Sequence, residues 1–121
     1  MFTVTVKNSI MIAHSLPDPF FGPAQNMHGA TFEVEAQFKS ATLTDKNVVI
    51  DIGEASNILA DVLAKFNYQN LDELPQFKGI LTTTEFMAQH IHSLIKAQIS
   101  DDIGLRIVLH ESSTASASYE G

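Results

Sequence analysis

The chain has 121 residues, 45% of them hydrophobic, and 14 acidic side chains against seven basic ones give a formal net charge of −7. That size supports a single domain over residues 1–121 with a real apolar core. The shortage of Lys and Arg excludes a phosphate-backbone binder, because nucleic-acid affinity rests on neutralising phosphates. The complete lack of Cys excludes disulfides, a thiolate zinc site and a cysteine nucleophile.

The N-terminus alternates apolar and polar residues, with no basic start leading into an apolar run, so it does not read as a signal peptide. No apolar run approaches the ~20 residues of a membrane span. The expectation is a soluble, cytoplasmic protein with neither a membrane nor a nucleic-acid partner.

Phe2, Val4 and Val6 fall at strand spacing and lead into the apolar stretch from Ile10 to Ala13, predicting one long first strand. Between Leu16 and Asn26, Pro17, Pro19, Gly22 and Pro23 mark a loop, since such a composition holds neither a ladder nor a helix interior. Ala30, Phe32, Val34, Ala36 and Phe38 then alternate with Thr31, Glu33, Glu35 and Gln37. This is the clearest strand in the chain, apolar on one face and polar on the other.

Ser40 to Asn47 reads as a turn region, and Val48 to Ile50 as a short apolar run. From Glu54 to Phe66 the period changes: Ile58, Leu59, Val62, Leu63 and Phe66 share a helical stripe, with Asp51 placed to cap it. A loop containing Asn67, Asn70, Pro75 and Gly79 leads to a second helix with Phe86, Met87, Ile91, Leu94 and Ile95 on its apolar face. Thr82 and Glu85 have capping-box spacing and predict its start at Thr82 or Thr83. Leu105 to Leu109 reads as a strand ending beside Glu111, and Ala115 to Tyr119 as a last short strand paired with it.

The element order is thus ββααββ, an α+β class in which an antiparallel sheet carries two helices on one face. Strands this long leave edges that require covering or pairing, so association through them is expected.

Of the five histidines, His90 and His92 are two apart on a helix, point in different directions and read as packing or surface residues. His14 ends the first strand and His28 begins the second, so a hairpin brings both to one end of the sheet. Two imidazoles so placed are half of a metal site, short of the three protein ligands usual for catalytic zinc. The plain alternative is two loop histidines hydrogen-bonded to nearby backbone. His110 and Glu111 are adjacent on a strand and face opposite ways, so only one of them enters a given pocket. A carboxylate such as Glu111 can accept two N–H donors from an amidine-like ring edge, or serve simply as a solvated strand-end charge.

These residues also carry a resemblance. The whole chain is similar to the 6-pyruvoyltetrahydropterin synthase and 6-carboxytetrahydropterin synthase family, whose members share this element order as the tunnelling fold, or T-fold. Ala13-His14 resembles the family's first zinc-ligand dipeptide, and His28-Gly29-Ala30 resembles its His-Gly-His motif with the last ligand replaced. Thr82-Thr83-Thr84-Glu85 resembles the Pro-Thr-x-Glu motif, and Val108 to Ser112 the strand that ends in Glu-Thr. The tail from Thr114 to Tyr119 resembles that of bacterial 6-carboxytetrahydropterin synthases of the queuosine pathway.

The resemblance implies zinc on His14 and His28, a pterin ring anchored by Glu111 and met by backbone groups of Thr83 and Thr84, and a homohexameric barrel with sites between subunits. The departures are as informative. Ala24 stands where the family has its catalytic Cys, and Asn67-Tyr68 where it has the Asp-His proton relay. Loss of a positioned base alone costs ~10²–10⁴ in rate.

Three readings follow. The first is a zinc-dependent, lyase-type enzyme with a rebuilt site, in which Tyr68 replaces the acid or base and Gln25, Glu33 or His110 supplies the third ligand. The second is a non-catalytic protein that binds a pterin, purine or related heterocycle. The third is a structural oligomer.

Overall fold

The computed structural model describes residues 1–121. Two 13-residue strands, β1 (Phe2–His14) and β2 (His28–Ser40), pair antiparallel over their whole length, from Phe2 opposite Ser40 to His14 opposite His28. The pairing follows from the alternation: residues of even number on both strands turn to one face, and Val6, Ile10, Ile12, Phe32, Val34, Ala36 and Phe38 are buried there. The odd positions present Thr, Ser, Lys, Glu and Gln to the opposite face.

Helix α1 (Ile52–Leu63) buries Ala55, Ile58, Leu59, Val62 and Leu63, and α2 (Thr84–Lys96) buries Met87, Ala88, Ile91 and Ile95. Strand β4 (Gly104–His110) pairs with β2, and β5 (Ser116–Tyr119) pairs with β4. Leu105, Ile107 and Leu109 complete the inner face, so sheet and helices share one core of 24 buried residues. This is the α+β T-fold that the element order predicts.

The sheet differs from the expected one in a single respect. A two-residue strand β3 (Gln69–Asn70) lies parallel to β1 at Ile12 and Ala13, giving the order β3-β1-β2-β4-β5 and a mixed sheet of five strands. Two residues are too few to show a period, which is why pattern alone reads this segment as loop. Most of β1, from Phe2 to Ile10, keeps an open edge, and β5 forms the other.

Helix α1 also starts and stops earlier than its stripe suggests. Asp51 is the cap, its carboxylate accepting from the Glu54 N–H at 2.9 Å. Phe66 lies in the turn beyond the helix yet remains buried, its ring 5.7 Å from that of Phe77. The loop from Leu16 to Asn26 is wound into short 3-10 turns over Pro19–Gln25, interrupted at Gly22, whose φ of +54° suits only glycine without strain.

His92 is a packing residue, as its helical position implies: its ring bonds the Leu105 carbonyl at 3.0 Å and lies edge-on to Tyr119. His90 stands among Phe66, Phe77 and Phe86, with ring centroids 4.9–5.8 Å away. Both tie α2 to its neighbours rather than facing a common site.

Asp51→Ala removes the cap of α1 and is expected to cost about 1 kcal/mol of stability. Urea denaturation reads this as a lower midpoint at unchanged slope, with Asp45→Ala as a control outside the helix.

Candidate functional site

The long β1–β2 pairing ends on His14 and His28, directly opposite each other on the helix side of the sheet, with ring centroids 4.6 Å apart. One step back on the same face, Ile12 lies opposite Ala30. The two imidazoles therefore stand above a small apolar floor, with Ile12 buried and Ala30 half-buried.

Each ring has one nitrogen committed. His28 Nδ1 lies 2.8 Å from the Asn26 carbonyl, which only accepts, so this nitrogen donates and Nε2 is left without a partner in the chain. His14 Nδ1 lies 3.0 Å from the hydroxyl of Thr82. Thr82 and His14 are both buried, and the contact joins residues 68 apart in sequence. Burial lowers the His14 pKa, and the neighbouring His28 pushes the same way; Asp72, Thr82 and Glu111 oppose them more weakly. The ring is therefore neutral near pH 7, the form in which histidine serves as a ligand or base.

The helix cap is displaced by one residue from the predicted box. Thr83 is the N-cap, its hydroxyl accepting from the Phe86 N–H at 3.1 Å, and Thr82 is free to meet His14. Sequence spacing alone assigned Thr82 to the cap, because the partner that claims it is distant in sequence. Helix α2 then points its N-terminus, the positive end of its dipole, toward the strand-end carboxylate. The Thr84 hydroxyl lies 3.4 Å from Glu111 Oε2. Glu111 sits in the β4–β5 turn, closed by its own N–H donating to the Ala115 carbonyl.

Asp72 is a member of this neighbourhood that spacing did not reveal. Its Oδ2 accepts both the N–H of Ser15, at 3.0 Å, and the Ser15 hydroxyl, pinning the chain immediately after His14. A hollow of about 360 Å³ opens beside it, walled by Ser15, Pro17, Phe77, Ile80 and Leu81.

Two of the expected third ligands are excluded by strand parity. Glu33 and His110 face each other across β2 and β4 on the opposite side of the sheet, and His110 Nε2 is bonded to Glu35. That bond holds the Glu35 carboxyl below its usual range. A larger hollow of about 670 Å³ lies over this polar face and reaches Glu111 at its margin, but it does not include the histidine pair. Gln25 turns its amide back onto the Gly22 carbonyl at 3.0 Å.

Within the chain no group of three or more His, Asp or Glu side chains is arranged to hold a metal. His14 and His28 have the right donor chemistry, imidazole rings each held by a neighbour at Nδ1, as metal ligands require. They are one ligand short of a resident three-ligand zinc site.

Tyr68 is not drawn into this cluster. Its side chain is 78% exposed, and its hydroxyl has no hydrogen-bond partner within the chain. Its backbone is nonetheless fixed: the N–H donates to the Met11 carbonyl at 2.7 Å with φ at +59°, a left-handed conformation uncommon for a bulky residue. The preceding Asn67 accepts the Met11 N–H through its side chain at 3.0 Å, so it closes the edge of β1.

The five-stranded sheet with two helices packed on one face defines a protein of the α+β T-fold class. Comparison with known proteins gives the family. The family model described as 6-pyruvoyl tetrahydropterin synthase matches residues 3–121. A 6-pyruvoyl tetrahydrobiopterin synthase from Dictyostelium discoideum is 31% identical over 83 residues, which span 67% of this chain and 62% of that protein. The structure of 6-pyruvoyl tetrahydropterin synthase from Caenorhabditis elegans superposes with a TM-score of 0.88 at 20% identity, covering 99% of this chain and 95% of that one.

The Plasmodium vivax enzyme of the same name superposes at 0.83 with 13% identity, covering 99% and 97%. A variant of that enzyme has been solved with a catalytic glutamate replaced by alanine. The chain belongs to the 6-pyruvoyl tetrahydropterin synthase family.

Burial holds both His14 and His90 below the ordinary histidine pKa, while the unfolded chain titrates near ~6.5. Depressed native pKa values contribute stability that is fully present above the unfolded value and lost as pH falls from there toward the folded values. The urea midpoint is therefore expected to drop between pH 7.5 and pH 5.5. His90→Phe, which keeps the aromatic packing and removes the titration, should flatten part of that drop.

Proposed function

We propose that this protein is a divergent pterin-synthase-type enzyme that binds a pterin or related heterocycle at Glu111 and carries out lyase-type chemistry through an altered site. The observation that carries this reading is the meeting of His14, His28 and Thr82 on the helix side of one end of the sheet, with Glu111 at its margin beside Thr84. Glu111 offers two carboxylate oxygens to the N–H groups of an amidine-like ring edge, a charge-assisted pairing that fixes the ring's orientation. Backbone groups at Thr83 and Thr84, beside the helix N-terminus, suit a carbonyl or anionic edge of the same ring.

The metal in this reading is zinc, with His14 and His28 as its protein ligands. When bound, it supplies Lewis-acid polarisation of a hydroxyl or carbonyl. The proton-handling residue is Tyr68, whose phenol can donate or accept. Its strained backbone supports that role, because a left-handed tyrosine costs on the order of 1–3 kcal/mol and such conformations gather at functional sites. In the P. vivax relative a glutamate is a catalytic residue.

The assembled form is a homohexamer in a barrel. The open edges of β1 and β5 are suited to pairing with further copies. The exposed Tyr68 stands beside one of those edges and is available to a neighbouring protomer's site.

Pterin fluorescence titration tests the ring site: Glu111→Gln is expected to weaken binding by about tenfold or more, the worth of a charged hydrogen-bond partner. Tyr68→Gly separates chemistry from folding. It relieves the left-handed strain, so thermal stability should hold or rise, while turnover of pterin-type substrates should fall ~10²–10⁴-fold. Unaltered turnover removes Tyr68 from the mechanism; undiminished binding by Glu111→Gln removes the ring anchor. Tight binding with no turnover by the wild-type chain identifies a non-catalytic heterocycle-binding protein instead.

A further inference from the structure

We propose that the hollow beside Asp72 is a binding site for a small organic cation, whose ammonium or guanidinium head meets the carboxylate while a short hydrocarbon body lies against Phe77, Ile80 and Leu81. The lining of this hollow includes neither the histidine pair nor Glu111, so the site is independent of the metal and heterocycle readings.

The carboxylate is fixed before any ligand arrives. The Asn70 side chain accepts the Asp72 N–H at 3.0 Å and caps the short 3-10 turn Leu71–Glu73, in which Leu71 is fully buried. Both donors of Ser15, its N–H at 3.0 Å and its hydroxyl at 2.5 Å, fall on Oδ2. A carboxylate has about four acceptor positions, and Oδ1 takes no donor from the chain. Its charge is unpaired as well, since the two ion pairs of the chain are Lys39–Glu120 and Glu35–His110.

Most of the remaining wall is hydrocarbon. Phe77 is 2% exposed and packed against the rings of Phe66, Phe86 and His90, which makes it a rigid floor. The chain then turns at Gly79, where φ is +76°, and the Ile80 N–H donates to the Phe77 carbonyl at 2.9 Å. This turn leaves Ile80 and Leu81 40% and 38% exposed, although both are large apolar side chains, and Pro17 extends the same lining. A volume of about 360 Å³ is near the lower end for ligand pockets, so the occupant is small.

These features select the chemistry of the occupant. Asp72 repels an anion. A neutral apolar molecule would strip water from Oδ1 and return no donor, which is unfavourable. A cationic N–H head supplies donor and opposite charge together, in a bond roughly twice as strong as a neutral one. The Ser15 hydroxyl oxygen keeps acceptor capacity for a second N–H of the same head. The carbon body then removes the exposed Ile80 and Leu81 surface from water. Neither half fills the hollow alone, so the ligand carries a cation at one end and about four to eight carbons at the other.

Backbone-amide NMR titration of the full chain at pH 7.5 tests this with phenethylamine. Phenethyl alcohol has the same body without the charge, and ethylamine has the same head without the body. Phenethylamine is expected to give saturable shifts at Ser15, Gly79 and Ile80, with a Kd on the order of 1 mM or tighter. Both controls should bind about tenfold more weakly or worse, and added salt should weaken phenethylamine alone.

Asp72→Asn keeps an acceptor for the Ser15 N–H and removes the charge, so phenethylamine binding should fall about tenfold or more while phenethyl alcohol is unaffected. Ile80→Ser alters a half-exposed wall outside the core and should weaken both aromatic probes, which gives a reading even where Asp72→Asn fails to fold. Equal affinity for phenethylamine and phenethyl alcohol overturns the proposal, as do shifts confined to other residues or binding unchanged in either variant. Absence of any binding overturns it too. Should the assembly then also dissociate in Asp72→Asn, read by light scattering, the hollow belongs to a Lys or Arg side chain of another copy and not to a small molecule.

Discussion

The constraint on which the rest of this structure depends is the unbroken 13-residue pairing of β1 with β2. A strand ladder has period two, so a single register decides which side chains face the helices over the entire length. A slip by one residue would turn Ile10, Phe32, Val34 and Phe38 to solvent and carry His14 and His28 out of opposition. The same register that buries the core therefore also builds the histidine pair, and core stability enforces the geometry of the site.

The two faces of this sheet are chemically segregated by that rule. The inner face is hydrocarbon over most of its length, Asn8 apart, and ends on the two imidazoles. The outer face is mainly polar, Met11 and Val108 apart, with Glu35 bonded to His110 and Arg106 reaching Gln37 and Ser118. A face so charged is solvated or faces other copies, and it does not contribute to the helix-side core. Glu111 stands at the margin between the two faces, because the chain leaves β4 there and turns toward β5.

The site is assembled from four separate stretches of chain, each held by a different local device. Asp72 pins Ser15 behind His14, Thr82 meets His14 because Thr83 has taken the cap of α2, and Glu111 follows a strand end beside Thr84. Family membership explains why this scaffold recurs, with the same fold in relatives from a nematode and from malaria parasites.

The sequence by itself determined the elements whose periods are long enough to read. The alternation from Ala30 to Phe38, the helical stripes of α1 and α2 and the Asp51 cap are all local properties of the backbone period; His110 and Glu111 do not follow it, because the strand ends at His110 and both residues line the hollow over the polar face. The placement of His14 and His28 at one end followed from a hairpin between two long strands. Tertiary structure alone decided what depends on the course of the loops: that β3 adds to the edge of β1, that Thr82 serves His14 rather than the helix cap, that Asp72 joins the neighbourhood, and that Tyr68 is left exposed. Those contacts link residues tens of positions apart, and no local period encodes them. Their partners are selected only when the packed sheet and helices bring the chain segments together.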